Sequence, residues 1–281
     1  MKNLIIYVFL FATVISSANG NTTNITEQQS YYENLVKLEE KSLPTKWPSI
    51  YDAHVLTNIT TALSLNNPEI NQSLINYLHI RVLRYFKNVP FSPPDKVQLE
   101  KLKNIPGLRS FLFKELELSP NQKLFFIISI FYGDERDVRN KLIVLGEESD
   151  SNLICLINAF LCADIYIEKI DKLILKAISN EDINVALVAA TYLKRFPLSE
   201  SLPYLIKNYT RTDLNVRLQS VTNAPPNIQD ISRMLFGMAI LAYDTDEILV
   251  FEKKIRILDK KTSLGKMAKS NHEAILRKLD R

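Results

Sequence analysis

Residues 182–193 read DINVALVAATYL, with nine apolar side chains among twelve behind an Asp and an Asn. Val185, Val188, Ala189, Tyr192 and Leu193 stand at i, i+3, i+4, i+7 and i+8, which is one continuous stripe of an α-helix. Ala186, Leu187 and Ala190 extend apolar cover over much of the remaining circumference. A helix of this kind has to be enclosed on several sides, and its small alanines let neighbouring helices come close. Asp182 precedes the run, where its carboxylate can accept the free N–H groups of the first turn, a cap that contributes about 0.5–2 kcal/mol.

The stretch has copies. DSNLICLINAFL at 150–161 aligns with it without a gap, pairing Asp150 with Asp182, Asn152 with Asn184 and Leu161 with Leu193. A third copy begins DLNVRL at 213, so the spacings are 32 and 31 residues. Asp150 and Asp213 are read as N-caps on the same grounds as Asp182. The correspondence continues between copies, since EKIDKLI at 168–174 lies 32 residues before ESLPYLI at 200–206. Each period therefore holds two short helices, the second starting after a break such as Phe196-Pro197. A helix pair repeated about every 30–45 residues is the signature of an α-solenoid.

Asp, two residues, an aliphatic, then small and large apolar residues, with DLNVR at 213–217, resembles the HEAT repeat over roughly residues 150–225. Only Arg217 matches the Arg of that family's phrase; Ile154 and Ala186 stand at its place in the other two copies. The resemblance implies a right-handed superhelix of stacked helical hairpins with a groove used for protein binding, and it implies no chemistry. Polar residues that interrupt the repeat pattern are then the candidates to line the groove: Lys194, Arg195, Lys207, Arg211 and Arg217.

Outward from the repeats, the remaining chain reads as all-α. Asn67 before Pro68 and Ser119 before Pro120 with Gln122 mark helix starts, and Gly133 and Gly146 fall where helices would close. Alternating runs bounded by hairpin dipeptides are absent, and there are only six glycines. The first twenty residues are of a different kind. Lys2, an apolar run from Leu4 to Ile15, and the small residues Ser16, Ala18 and Gly20 have the layout of a cleaved secretory signal. Twelve residues would span only about 18 Å as a helix, short of a bilayer core of about 30 Å. The expected organisation is a signal at 1–20, a polar spacer at 21–45 with a short helix over 31–41, one helical repeat domain over 46–281, and a basic cap at 251–281. The expected location is secreted or periplasmic.

Export raises two matters. The mature chain would hold only Cys155 and Cys162, seven residues apart; on one helix their Cα atoms would be about 10 Å apart along the axis, beyond the roughly 7 Å a disulfide spans. They read as buried apolar thiols. Asn21, Asn24, Asn58, Asn71 and Asn208 lie in N-x-S/T and would be glycan acceptors on a eukaryotic route.

Catalytic signals are thin. His54, His79 and His272 share no metal-ligand spacing, and no phosphate-binding glycine loop or nucleophile elbow is present, so no metal and no cofactor is implied. Acid clusters at 147–150 and 244–247 precede apolar helices and read as caps favoured by the helix dipole. A glycosidase built on a helical toroid, with two facing carboxylates and aromatic platforms, is an alternative, against which Trp47 is the only tryptophan. Charge is uneven. Residues 251–281 hold ten Lys or Arg against four Asp or Glu, a local net of +6 in a chain whose total is +4. That segment suits a solvated terminal cap, an acidic protein surface or anionic lipid, and a nucleic-acid partner is not expected. The expectation is an exported helical-repeat module that binds protein, with a peripheral lipid-associated protein as the other non-catalytic reading.

Overall fold

The computed structural model describes residues 53–65, 67–87, 93–211, 228–261 and 264–281. Among them are fourteen α-helices and no strand. No described helix is long and apolar enough to cross a membrane. The signal and spacer, the short helix expected at 31–41, Trp47, the third repeat copy at 213–218 with Asp213 and Arg217, Asn21 and Asn24, and the side chains of His54 and Asn58 lie outside the described residues.

The chain divides into two compact units, residues 1–139 and 140–281. In the first, α1 (Ala53–Leu65), α2 (Pro68–Lys87), α3 (Pro93–Lys103) and α4 (Leu108–Leu118) precede α5 (Gln122–Tyr132), and α6 (Arg136–Glu147) contains the boundary. α5 packs against α2, α3 and α4, which accounts for its composition: Leu124 through Ser129, Phe131 and Tyr132 are all buried. Asn67 caps α2 as expected, accepting from the N–H groups of Glu69 and Ile70. For α5 the cap differs from the expectation. Asn121, not Ser119, accepts from Lys123 N and Leu124 N, while Ser119 closes α4. Proline at 120 sets the break, but the side chain two residues before the free N–H groups makes the bond.

The second unit contains the helices of the repeats: α7 (Asp150–Ala163), α8 (Asp171–Ser179), α9 (Ile183–Leu193) and α10 (Leu202–Tyr209). Short 3-10 turns, Glu168–Ile170 and Ser199–Ser201, lead into α8 and α10, so the two hairpins are built alike. α9 is the quoted stretch. It packs against α7, α8 and α11 (Ile228–Ile240), and eight of its eleven residues are buried, including the whole expected stripe and Ala186 and Ala190. Full burial of each larger apolar side chain contributes about 1.5–3 kcal/mol, so enclosure on three sides is what stabilises a helix with almost no polar face. Asp182 caps it through Asn184 N at 2.8 Å. The cap of α7 is Ser149, one residue before Asp150, whose carboxylate instead accepts from Asn180 Nδ2 at 3.1 Å. Gly146 is not a cap but lies within α6, where an added Cβ would come within 2.5 Å of the Leu156 side chain.

Contacts between residues about thirty apart tie successive hairpins together. Asn180 reaches Asp150, Asn208 donates to Ile178 O at 2.9 Å, and the Tyr192 hydroxyl donates to Ile165 O at 3.3 Å. Tyrosines at helix ends recur in this role. Tyr243 accepts from Leu198 N and donates to Leu198 O, and in the first unit Tyr132 donates to Lys103 O. The chain finishes with α12 (Thr245–Leu249), α13 (Glu252–Lys261) and α14 (Lys266–Leu279), the last packed on α11 and α12. Asp244 and Glu247 form a reciprocal capping box at the start of α12, which is the capping role expected of that acid cluster.

Candidate functional site

A concavity among the described residues of the second unit opens where the end of α8 meets α10. It encloses about 280 Å³ and is lined by Ile178, Ser179, Asn180 and Glu181 on one side and Tyr204, Lys207, Asn208 and Arg211 on the other. The second set stands at i, i+3, i+4 and i+7, so α10 and the residues just past it offer one stripe to the cleft. The opposite stripe of α10, including Leu202, Leu205, Ile206 and Tyr209, is buried and fixes the helix in place.

Asn208 anchors the floor. It is only 3% exposed, its Nδ2 bonds the Ile178 carbonyl at the end of α8, and its Oδ1 accepts from Arg211 Nη1 at 3.4 Å. The Arg211 carbonyl accepts from Arg233 Nη2 at 2.8 Å, with Arg233 itself buried on α11. Burial holds the Arg233 guanidinium below the usual arginine range. Lys207 and Tyr204 stand exposed at the cleft mouth. Ser179, Asn180 and Glu181 on one wall face two cations and a phenol on the other. Such a surface offers hydrogen bonds and fixed charge to a polar chain, and lacks the enclosed apolar volume of a small-molecule pocket.

Two of the five residues expected to line a groove, Lys207 and Arg211, come together here. Lys194 and Arg195 do not line this cleft. Arg195 pairs with Asp164 at 2.6 Å, over the Phe196 ring, and Asp164 occupies the left-handed position that ends α7. Partial burial lowers the Lys194 ammonium from its ordinary value. Sequence reasoning missed Tyr204, Asn180 and Glu181. A stripe drawn through Lys207 and Arg211 at helical spacing would have found Tyr204; the α8 wall has no such signal, because it arrives from thirty residues away.

Asn71 and Asn208, two of the five sequon asparagines, have buried side chains, and each amide bonds inside the fold, Asn71 to Glu115 at 2.8 Å and Asn208 to Ile178. A sugar on either nitrogen would displace that bond and the packing around it. Cys155 and Cys162 are both free thiols on α7, and burial pushes them up to about 11 and about 12. Among the described residues, no three His, Cys, Asp or Glu side chains are grouped so as to hold a metal ion. Compared with known proteins, the chain matches no protein-family model, no curated protein and no solved structure.

Proposed function

We propose that this chain is an exported helical-repeat module, a HEAT-like right-handed stack over its second half, and that it binds a protein partner through the cleft between α8 and α10. Support for the repeat comes from the pairing of like with like: α7 packs on α9, while α8 packs on α10 and α10 on α11. Support for the cleft as the binding face rests on one observation, the Tyr204, Lys207, Asn208 and Arg211 stripe facing a gap between successive hairpins. Exposed Lys207 and half-buried Arg211 beside a tyrosine hydroxyl favour an acidic segment, since two cations and a phenol O–H can all donate to carboxylates. The location is secreted or periplasmic, and the proposed role is non-catalytic.

The test is capture from the secreted or envelope fraction, followed by direct titration of the recovered protein against the full chain and a Lys207→Glu/Arg211→Glu variant. Saturable binding that weakens about tenfold or more in the variant, and that falls with added salt, is the expected result. Equal affinity for both forms would move the binding face elsewhere.

A further inference from the structure

A second surface of the same unit has a different chemistry. α12 ends at Leu249 and the chain turns through Val250 and Phe251 into α13. Leu249 is 40% exposed and Val250 79%, and Ile257 further along α13 is 45% exposed. Lys253, Lys254 and Ile257 stand at i, i+1 and i+4 of α13 and are all exposed, and the exposed Val250 lies in the turn that leads into the helix. Ile255 and Leu258 of the same helix are buried. Arg256 pairs with Glu252 at 2.7 Å and with Asp280 at the end of α14 at 2.6 Å, which ties α13 to α14. The Lys254 ammonium stands 5.9 Å from the centre of the Phe251 ring.

We infer that the Leu249–Ile257 face attaches the protein to an anionic lipid surface, with Leu249, Val250 and Ile257 entering the headgroup layer and Lys253 and Lys254 meeting the phosphates. Three features select lipid over protein. The apolar side chains alternate with lysines and never join into the dry patch a protein interface needs at its centre, where lysine is depleted. Lysines interleaved with aliphatic residues are what an interfacial helix presents, because each stem lies along the apolar layer while the ammonium stays at phosphate level. The segment from 251 to 281 carries a net charge of +6, complementary to an anionic leaflet.

The test uses the full chain in flotation with phosphatidylcholine vesicles, with and without phosphatidylglycerol, at low and high salt. The N-terminal apolar run is common to every variant, so only differences between variants are read. Lys253→Glu/Lys254→Glu is expected to weaken binding to the anionic vesicles about tenfold or more, as follows from about 1 kcal/mol for each lysine near such a surface. Lys172→Glu/Lys176→Glu on α8 makes the same change in net charge and is expected to leave binding unchanged. In a Val250→Trp variant, vesicles containing phosphatidylglycerol should shift the added tryptophan emission to the blue. Failure of the wild-type chain to float with anionic vesicles would overturn the inference. So would equal loss in the two charge variants, an unshifted Val250→Trp emission, or a protein partner bound through this face with no vesicle binding.

Discussion

Acid should destabilise the first unit through His79. This residue lies in α2, 5% exposed, with its ring edge-on to Phe126 of α5 at 5.4 Å. Its Nε2 is buried and finds no hydrogen-bond partner among the described residues. Burial, and secondarily the Lys123 ammonium, lower its pKa from 6.5 to about 3. Lys123 is itself held by Asn76 Oδ1 at 2.7 Å, and burial lowers its own pKa as well. The unfolded chain therefore takes up a proton at His79 near pH 6.5 while the folded chain refuses it until about pH 3. Between those values protons favour the unfolded state, so stability is full above pH 6.5 and declines as pH falls towards 3. At about 1.4 kcal/mol per pH unit, the decline from this one group is about 2 kcal/mol by pH 5, about 3 kcal/mol by pH 4 and about 5 kcal/mol in full. Those are large fractions of a typical stability of 5–15 kcal/mol.

The assay has two parts. Imidazole proton shifts of His79 in the folded chain, followed by NMR, should stay those of the neutral ring down to about pH 4. Urea unfolding of wild type and His79→Leu at pH 7, 6, 5 and 4 should then diverge, the variant losing less stability with acid by the amounts above. Lys123→Met should raise the His79 pKa only part of the way, because burial is the larger cause. An imidazole that titrates near 6.5 in the folded chain, or parallel pH profiles for wild type and His79→Leu, would refute the reasoning.

Two further expectations follow from single contacts. Gly265 precedes α14 and has no side chain to cap it; Asp230 of α11 does so instead, accepting from Met267 N at 3.1 Å and Ala268 N at 2.8 Å. A Cβ on Gly265 would stand 2.4 Å from the Asp230 carboxyl carbon. Gly265→Ala should therefore cost about 1–3 kcal/mol in thermal unfolding, and most of that cost should vanish when Asp230 is already alanine; an unchanged cost would mean the cap is not what the methyl displaces. Cys155 and Cys162, raised to about 11 and about 12, should react with a thiol reagent at pH 8 far more slowly in the folded chain than in urea. Fast labelling of the native protein, or a mass two protons short of two free thiols, would contradict the described environment.

How far the sequence could be read depended on how local the cause was. The Asp182 and Asn67 caps were legible because a cap acts within three residues, and so was the stripe of α9. Caps that depend on which of several polar residues turns inward were not: Ser149 displaces Asp150, and Asn121 displaces Ser119. Gly146 read as a helix close and Gly265 carried no signal, yet one gives room to Leu156 and the other to Asp230, both supplied by other helices. At the candidate site, Lys207 and Arg211 could be named from their position, whereas Asn180 and Glu181 could not.

What the sequence alone determined, then, is helix: the 3.6-residue spacing of apolar side chains, the proline and asparagine punctuation, and a 32-residue echo of paired helices, all set by forces acting within one or two turns. Which charges remain at the surface and which are consumed was decided only by tertiary packing. Arg195 is drawn to Asp164, Arg256 to Asp280 and Asn208 to a carbonyl thirty residues back, while Lys207, Lys253 and Lys254 remain exposed. The physical reason is that a helix period dictates direction around one axis, whereas a binding surface is made where residues from two axes meet.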